Sequence, residues 1–255
     1  MAIQLKSQDQ IELMRIAGRI LAQTLQRVSE HVRPGVTTLE LDEIAYEFIK
    51  SQGAIPTFKG YHPHPSLPPF PGTLCTSVNE EIVHGIPSDR KLKEGDIITI
   101  DCGVIYRGWQ GDSAVTVAVG KIKPELEKLL KTTQESLAAG IAQAKAGNRL
   151  GDISHAIEEK IRAGGYGAPR EYGGHGIGRR LWEEPSVPNH GRAGTGVPLR
   201  PGMVIAIEPM LNLGGDETET LDDMWTVVTR DRKPSAHFEH TVAITKNGPD
   251  ILTLA

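Results

Sequence analysis

The sequence predicts an α+β fold built from two related halves packed with pseudo-two-fold symmetry. Helical stretches with apolar residues at steps of three and four alternate with short β-branched strands. The order helix, Pro-Gly or Ala-Gly break, helix, His-Gly-Ile, strand ending on an acid occurs twice. Within it, Leu92–Asp101 (LKEGDIITID) matches Leu199–Glu208 (LRPGMVIAIE), and His84-Gly85-Ile86 matches His175-Gly176-Ile177. A repeat of two is a duplication and not a solenoid. The 255 residues are therefore expected to form one domain with halves of residues 1–120 and 121–255, and the matching acids Asp101 and Glu208 should meet near the pseudo-axis.

The first helix begins near residue 8 and carries Ile11, Met14, Ala17, Leu21 and Leu25 on one face. A Pro-Gly break from Val32 to Thr38 follows. Thr37 and Glu40 have the spacing of a capping box, which opens a second helix with Leu41, Ile44, Ala45, Phe48 and Ile49 inward, ending near Gly53. Residues Tyr61 to Gly72 hold Pro63, Pro65, Pro68, Pro69 and Pro71. So few amide donors exclude helix or central strand there. Ile97 to Val104 reads as a buried strand, Gly108 as a turn, and Ser113 to Val119 as the returning strand. A helix after Pro124 uses Leu126, Leu129, Leu130, Thr133 and Leu137, and another runs from Leu150 to Ala163 and stops at Gly164-Gly165. Beyond the glycine-dense Gly164–Gly178, strands are expected at Val204–Pro209 and Ala236–Thr245.

Composition narrows the function. There are 28 Lys+Arg against 32 Asp+Glu, a net charge of −4, with 24% charged and 38% hydrophobic residues. A mildly acidic chain lacks the basic footprint of nucleic-acid binding. No apolar run approaches the roughly 20 residues of a membrane span. Cys75 and Cys102 cannot form a disulfide framework, and no signal peptide is legible, so a reduced, cytoplasmic protein is expected.

Charges inside apolar strands carry the chemistry. Asp101 ends an apolar run, and Asp112 lies across the hairpin, within roughly 5–8 Å on the same face. Glu208 is the repeat partner of Asp101, and Glu239 sits in a second strand return. Buried carboxylates need a partner charge, a proton or a metal. Adding His175 from the glycine-rich segment gives an oxygen and nitrogen ligand set suited to Mn, Fe, Co or Zn, and four carboxylates suffice to bridge two ions. Taken singly, each residue has another reading: turn or salt-bridge acids, a surface strand end at Glu208, a capping histidine, and two small core cysteines.

These residues fall in motifs that resemble the type I methionine aminopeptidases: Ser77–Pro87 (SVNEEIVHGIP), Asp101 with Asp112, Gly174–Gly178 (GHGIG), Ile207–Met210 (IEPM) and Phe238–Thr241 (FEHT). The resemblance runs from Ala2 to Leu254. It implies a pita-bread fold, in which a curved antiparallel sheet carries helices on its outside. It implies two divalent ions (Co, Mn, Fe or Zn) held by Asp101, Asp112, His175, Glu208 and Glu239, with Glu208 also the general base and His84 on the scissile amide. The methionine pocket maps onto Phe58, Tyr61, Phe70, Cys75, Leu181 and Trp225, with Trp182 beside them. The implied substrates are nascent polypeptide N-termini whose second residue is small, met at the ribosome by a monomer that binds neither nucleic acid nor membrane. No zinc finger or basic extension precedes the first helix, so docking through such an element is not expected.

The chain departs from the family at Trp182, where a second histidine usually stands just before Glu-Glu-Pro, and in a longer, more Pro-rich loop at 61–72. Two other readings compete. One is an Xaa-Pro exopeptidase of the same fold, whose relatives usually carry a further N-terminal domain. The other is a non-catalytic binding protein, for which Trp182 is the support.

Overall fold

The computed structural model describes residues 2–255. Helix α1 (Gln8–Ser29) opens on a capping box: Gln10 N–H donates to Ser7 Oγ, and Ser7 N–H donates to Gln10 Oε1 at 3.0 Å. Helix α2 (Thr38–Ser51) opens on the one expected, with Thr37 N–H on Glu40 Oε2 at 2.7 Å and Glu40 N–H on Thr37 Oγ1 at 3.1 Å. Then come β1 (Ile55–Pro56), β2 (Leu74–Val78), β3 (Glu81–Val83), β4 (Ile97–Tyr106) and β5 (Trp109–Ala118). Strand β4 pairs with β1, β2 and β5, always antiparallel. The β4–β5 turn has φ 49° at Arg107 and 80° at Gly108, the doubly left-handed turn whose twist suits a two-residue hairpin. The apolar face of α1 and α2 closes over this sheet around Leu21, Leu41, Ile49, Leu74, Ile98 and Ile100. Burying a side chain such as Leu21 contributes about 1.5–3 kcal/mol.

The second half repeats the scheme. Helices α3 (Pro124–Gln143) and α4 (Leu150–Gly164) pack on each other and cover a core that includes Leu129, Ile153, Ile157, Ile205, Ile207 and Val242. Strands β6 (Gly173–Gly176), β7 (Glu183–Pro188), β8 (Val204–Ile207), β9 (Met210–Asn212), β10 (Thr218–Thr220), β11 (Val227–Thr229), β12 (Ser235–His237), β13 (His240–Thr245) and β14 (Gly248–Ile251) follow. Five of them form the sheet β14-β13-β8-β6-β7. The proline-rich segment holds no strand; Gly60 N–H on Phe70 O at 2.8 Å and Phe70 N–H on Tyr61 O at 2.9 Å close its base. Among the described residues no helix is long and apolar enough to cross a membrane.

Two strand expectations change, Ala236–Thr245 and Val204–Pro209. Ala236–Thr245 is not one strand: it breaks at Phe238-Glu239, as its neighbour breaks at Glu208-Pro209. Strand β13 pairs with β8 and β12 with β9, so the two breaks lie side by side in one ribbon. Pro209 has no amide to donate. Glu239 N–H turns to Ala114 O of β5 at 2.9 Å, and Ser113 Oγ–H donates to Glu239 O at 2.6 Å. Thr241 Oγ1–H donates to Asp112 O at 2.7 Å and accepts from Asp112 N–H at 3.0 Å. The ribbon of the second half is thus stitched to the hairpin of the first, acid against acid.

Candidate metal centre

The hairpin register pairs Asp101 with Ala114 and Gly103 with Asp112. The two acids are therefore diagonal neighbours on one face, about the turn at Arg107-Gly108. Glu208 and Glu239 project from the two ribbon breaks. His175 lies mid-strand in β6, inserted between β7 and β8. Its glycine neighbours permit this: a Cβ on Gly174 would stand 2.2 Å from Ala206 O, and one on Gly176 2.2 Å from Glu184 O. His175 Nδ1–H donates to Gly176 O at 2.9 Å, which leaves the Nε2 lone pair facing inward. That Nε2 is 3.8 Å from Asp112 Oδ2 and 3.6 Å from Glu208 Oε1. One ligand atom each from Asp112, His175 and Glu239 lie within 4.8 Å of one another.

The electrostatics of this cluster are unfavourable as protein alone. Asp101 Oδ1, Asp112 Oδ1 and Glu239 Oε1 are buried without a hydrogen-bond partner. Burial pushes the Asp101 carboxyl up to about 7. Burial and the Asp101 charge push Glu208 up to about 8. Asp112 and Glu239 are also raised well above the usual carboxylate range, through burial first and the neighbouring acids second. The imidazoles offer no compensating charge: burial lowers His84 and His175 to about 4 and, with His84 nearby, His237 to about 3. Clustered acids with unpartnered oxygens and one presented imidazole are the donor set a divalent cation satisfies, displacing protons as it binds.

All five of these residues and His84 line one cavity of about 280 Å³. His84 follows β3 with φ 61°, a left-handed backbone that turns its ring edge-on to Trp225 at 6.3 Å. The other end of the cavity is apolar. Phe58, Phe70, Cys75, Leu181 and Trp225 form one buried cluster, with Tyr61 partly buried against it. Phe70 meets Phe58 and Trp225 edge-on at 6.5 and 5.2 Å, and Trp225 Nε1–H donates to Pro68 O at 3.1 Å, tying the proline-rich loop to the wall. Burial raises the Cys75 and Cys102 thiols well above their usual range, so they are small core residues, not nucleophiles. Trp182 stands at the mouth, half exposed, edge-on to Tyr61 at 5.6 Å and His175 at 6.2 Å.

Every candidate metal, catalytic and pocket residue named from the sequence borders this one cavity. Sequence reasoning missed Tyr172 and Met210, which also line it, and His237, whose Nε2 is 3.6 Å from Glu208 Oε2. Tyr172 directly precedes Gly173-Gly174-His175 and Met210 follows Glu208-Pro209, so adjacency to the motifs was the available signal. His237 had none, because its inward orientation depends on the strand break.

The chain matches the model of metallopeptidase family M24 over residues 12–246. It is 53% identical over 250 residues to the methionine aminopeptidase of Clostridium perfringens, covering 98% of each chain. It is 52% identical over 248 residues to methionine aminopeptidase 1 of Bacillus subtilis, covering 97% of this chain and 98% of that one. Among solved structures, methionine aminopeptidase from Rickettsia prowazekii superposes with a TM-score of 0.95 at 41% identity, over 99% of this chain and 100% of that one. The pita-bread fold anticipated above is the fold of these neighbours.

Proposed function

The chain belongs to metallopeptidase family M24, and from that premise we propose that it removes the N-terminal methionine of nascent polypeptides whose second residue is small. Membership implies divalent metal ions. On our reading there are two, cobalt, manganese, iron or zinc, held by Asp101, Asp112, His175, Glu208 and Glu239. The observation that supports this best is the set of buried, unpartnered carboxylate oxygens on Asp101, Asp112 and Glu239, two of these acids clustering with His175. Bound there, the ions would supply Lewis acidity and lower the pKa of a water.

The protein's own groups do the rest. Glu208 takes the proton of the attacking water and returns it to the leaving nitrogen. Neutral His84 offers a ring N–H to the scissile amide as charge develops on its oxygen. The apolar end, walled by Phe58, Phe70, Cys75, Leu181 and Trp225, receives the thioether side chain. The free α-amine would also be held by the metal ions, as suits an exopeptidase. The setting we propose is cytoplasmic, on chains leaving the ribosome.

Chelation should abolish hydrolysis of Met-Ala-Ser, and added manganese, cobalt or iron should restore it, with Lys-Ala-Ser cleaved far more slowly. Full activity in a chelated, metal-free sample would overturn the metal assignment. Similar rates on both peptides would overturn the specificity. Full metal occupancy without hydrolysis would instead favour a binding protein.

A further inference from the structure

We propose that His237 is a positioning residue for the general base: its ring N–H holds the Oε2 oxygen of Glu208 from the side opposite His175. The inference rests on Glu208 being the base. It goes beyond that reading because none of the motifs above includes this histidine.

His237 is 1% exposed, and neither ring nitrogen has a hydrogen-bond partner. Leaving such a buried polar group unpaired is destabilising, so a core position that served packing alone would favour an apolar side chain. The backbone of His237 is held without slack. Thr116 Oγ1–H donates to His237 O at 2.7 Å, and His237 N–H donates back to Thr116 Oγ1 at 2.9 Å. The Thr116 hydroxyl has spent its one proton, so at the 2.9 Å contact with Thr99 Oγ1 it is Thr99 that donates. The two buried threonine hydroxyls thus fix where the His237 ring starts, and it starts facing Glu208.

The two imidazoles beside Glu208 are not equivalent. His175 Nε2 is 3.6 Å from Oε1, and its Nδ1–H is engaged by Gly176 O, so it presents a lone pair. His237 Nε2 is 3.6 Å from Oε2, and nothing engages its Nδ1. The tautomer with the proton on Nε2 is therefore open to His237 and suits a carboxylate oxygen. Closing the gap by roughly 0.7 Å, a small ring rotation, makes an ordinary N–H···O bond. With Oε2 held, Oε1 faces His175 and the other acids, and the carboxylate plane is set for proton transfer. Hydrogen-bond partners of this kind typically contribute about 10–100-fold to metal affinity or activity.

The test compares His237→Leu, which removes the donor, with His237→Gln, which keeps an N–H at the end of a polar side chain. Binding of manganese or cobalt ions is measured by calorimetry, and kcat and KM on Met-Ala-Ser are measured separately. The Leu variant should lose about 10–100-fold in metal affinity, in kcat, or in both, with KM changed little, and the Gln variant should recover most of the loss. Wild-type affinity and kcat in the Leu variant would overturn the proposal. So would equal impairment of the two variants, which would mark a packing role. If wild type binds metal yet does not cleave Met-Ala-Ser, the base assignment fails, while the affinity comparison still decides whether His237 holds Glu208.

Discussion

Glu208 sits between two imidazoles, 3.6 Å from each, and in the metal-free protein burial and the Asp101 charge raise its carboxyl to about 8. Glu208→Gln keeps the size of the side chain and removes its basicity. The variant should fold like wild type and lose several powers of ten in kcat, read by steady-state kinetics on Met-Ala-Ser. A wild-type kcat would remove Glu208 from the mechanism. Trp182 is the opposite case, a residue whose type departs from the family pattern expected from the motifs. The structure places it against His175 and Tyr61 at the cavity mouth, not facing away. Its indole can donate one hydrogen bond but cannot accept or carry a proton. Removing a donor to developing charge costs about 10²–10³ in kcat, and the indole recovers part of that. Trp182→His should therefore raise kcat by up to about 10²-fold at matched metal content, and an unchanged kcat would show that Trp182 does not limit turnover. At this scale the sequence was informative about chemistry and silent about direction. Asp101, Asp112 and Glu239 were legible because acids do not belong in apolar strands. His237 and His240, either side of Glu239, are indistinguishable by type, yet one faces Glu208 and the other donates to or accepts from Thr253 Oγ1 at 2.8 Å.

The helices and the central hairpin were readable because local rules govern them: capping boxes, a Pro at the start of α3, and a positive-φ turn at Gly108. The ribbon was not, because its breaks are set by partners distant in sequence, namely Ala114, Ser113 and Asp112 of β5. Paired variants separate elements that only support the fold from the one that also carries the site. Thr37→Ala removes the hydroxyl of the α2 capping box and should lower stability by about 1 kcal/mol with metal binding unchanged. Gly174→Ala places a methyl 2.2 Å from Ala206 O, where backbone must give way, and so shifts His175 within β6. It should lose stability and metal affinity together. Denaturant melts and metal titrations of both variants check this, and a Gly174→Ala protein with wild-type metal affinity would show that β6 does not set the position of His175.

The whole molecule joins two helix-covered halves across a cluster of acids, and that junction gives the metal-free protein a pH response with a definite sign. Asp101 and Glu208 have folded values of about 7 and about 8 against ordinary ones of 3.8 and 4.5, and Asp112 and Glu239 are likewise raised well above theirs. For these groups the folded state binds more protons than the unfolded state, so stability falls as pH rises from about 4 toward 8. The buried histidines work the other way. His84, His175 and His240 sit near 4 and His237 near 3 against an ordinary 6.5, so folding gains stability as pH rises from about 4 to 6.5 and nothing beyond. The two trends oppose each other below about 6.5, and above it only the carboxylate loss continues. A chelated sample should therefore lose melting temperature steadily from pH 6.5 up to pH 8. Metal ions replace those protons, so the loaded protein should hold its melting temperature across the same window and exceed the chelated one most at its alkaline end. Thermal melts at pH 6.5, 7.25 and 8, with and without manganese, measure this. If the gap between the loaded and chelated proteins did not widen with pH, the acids would not be carrying protons that metal displaces.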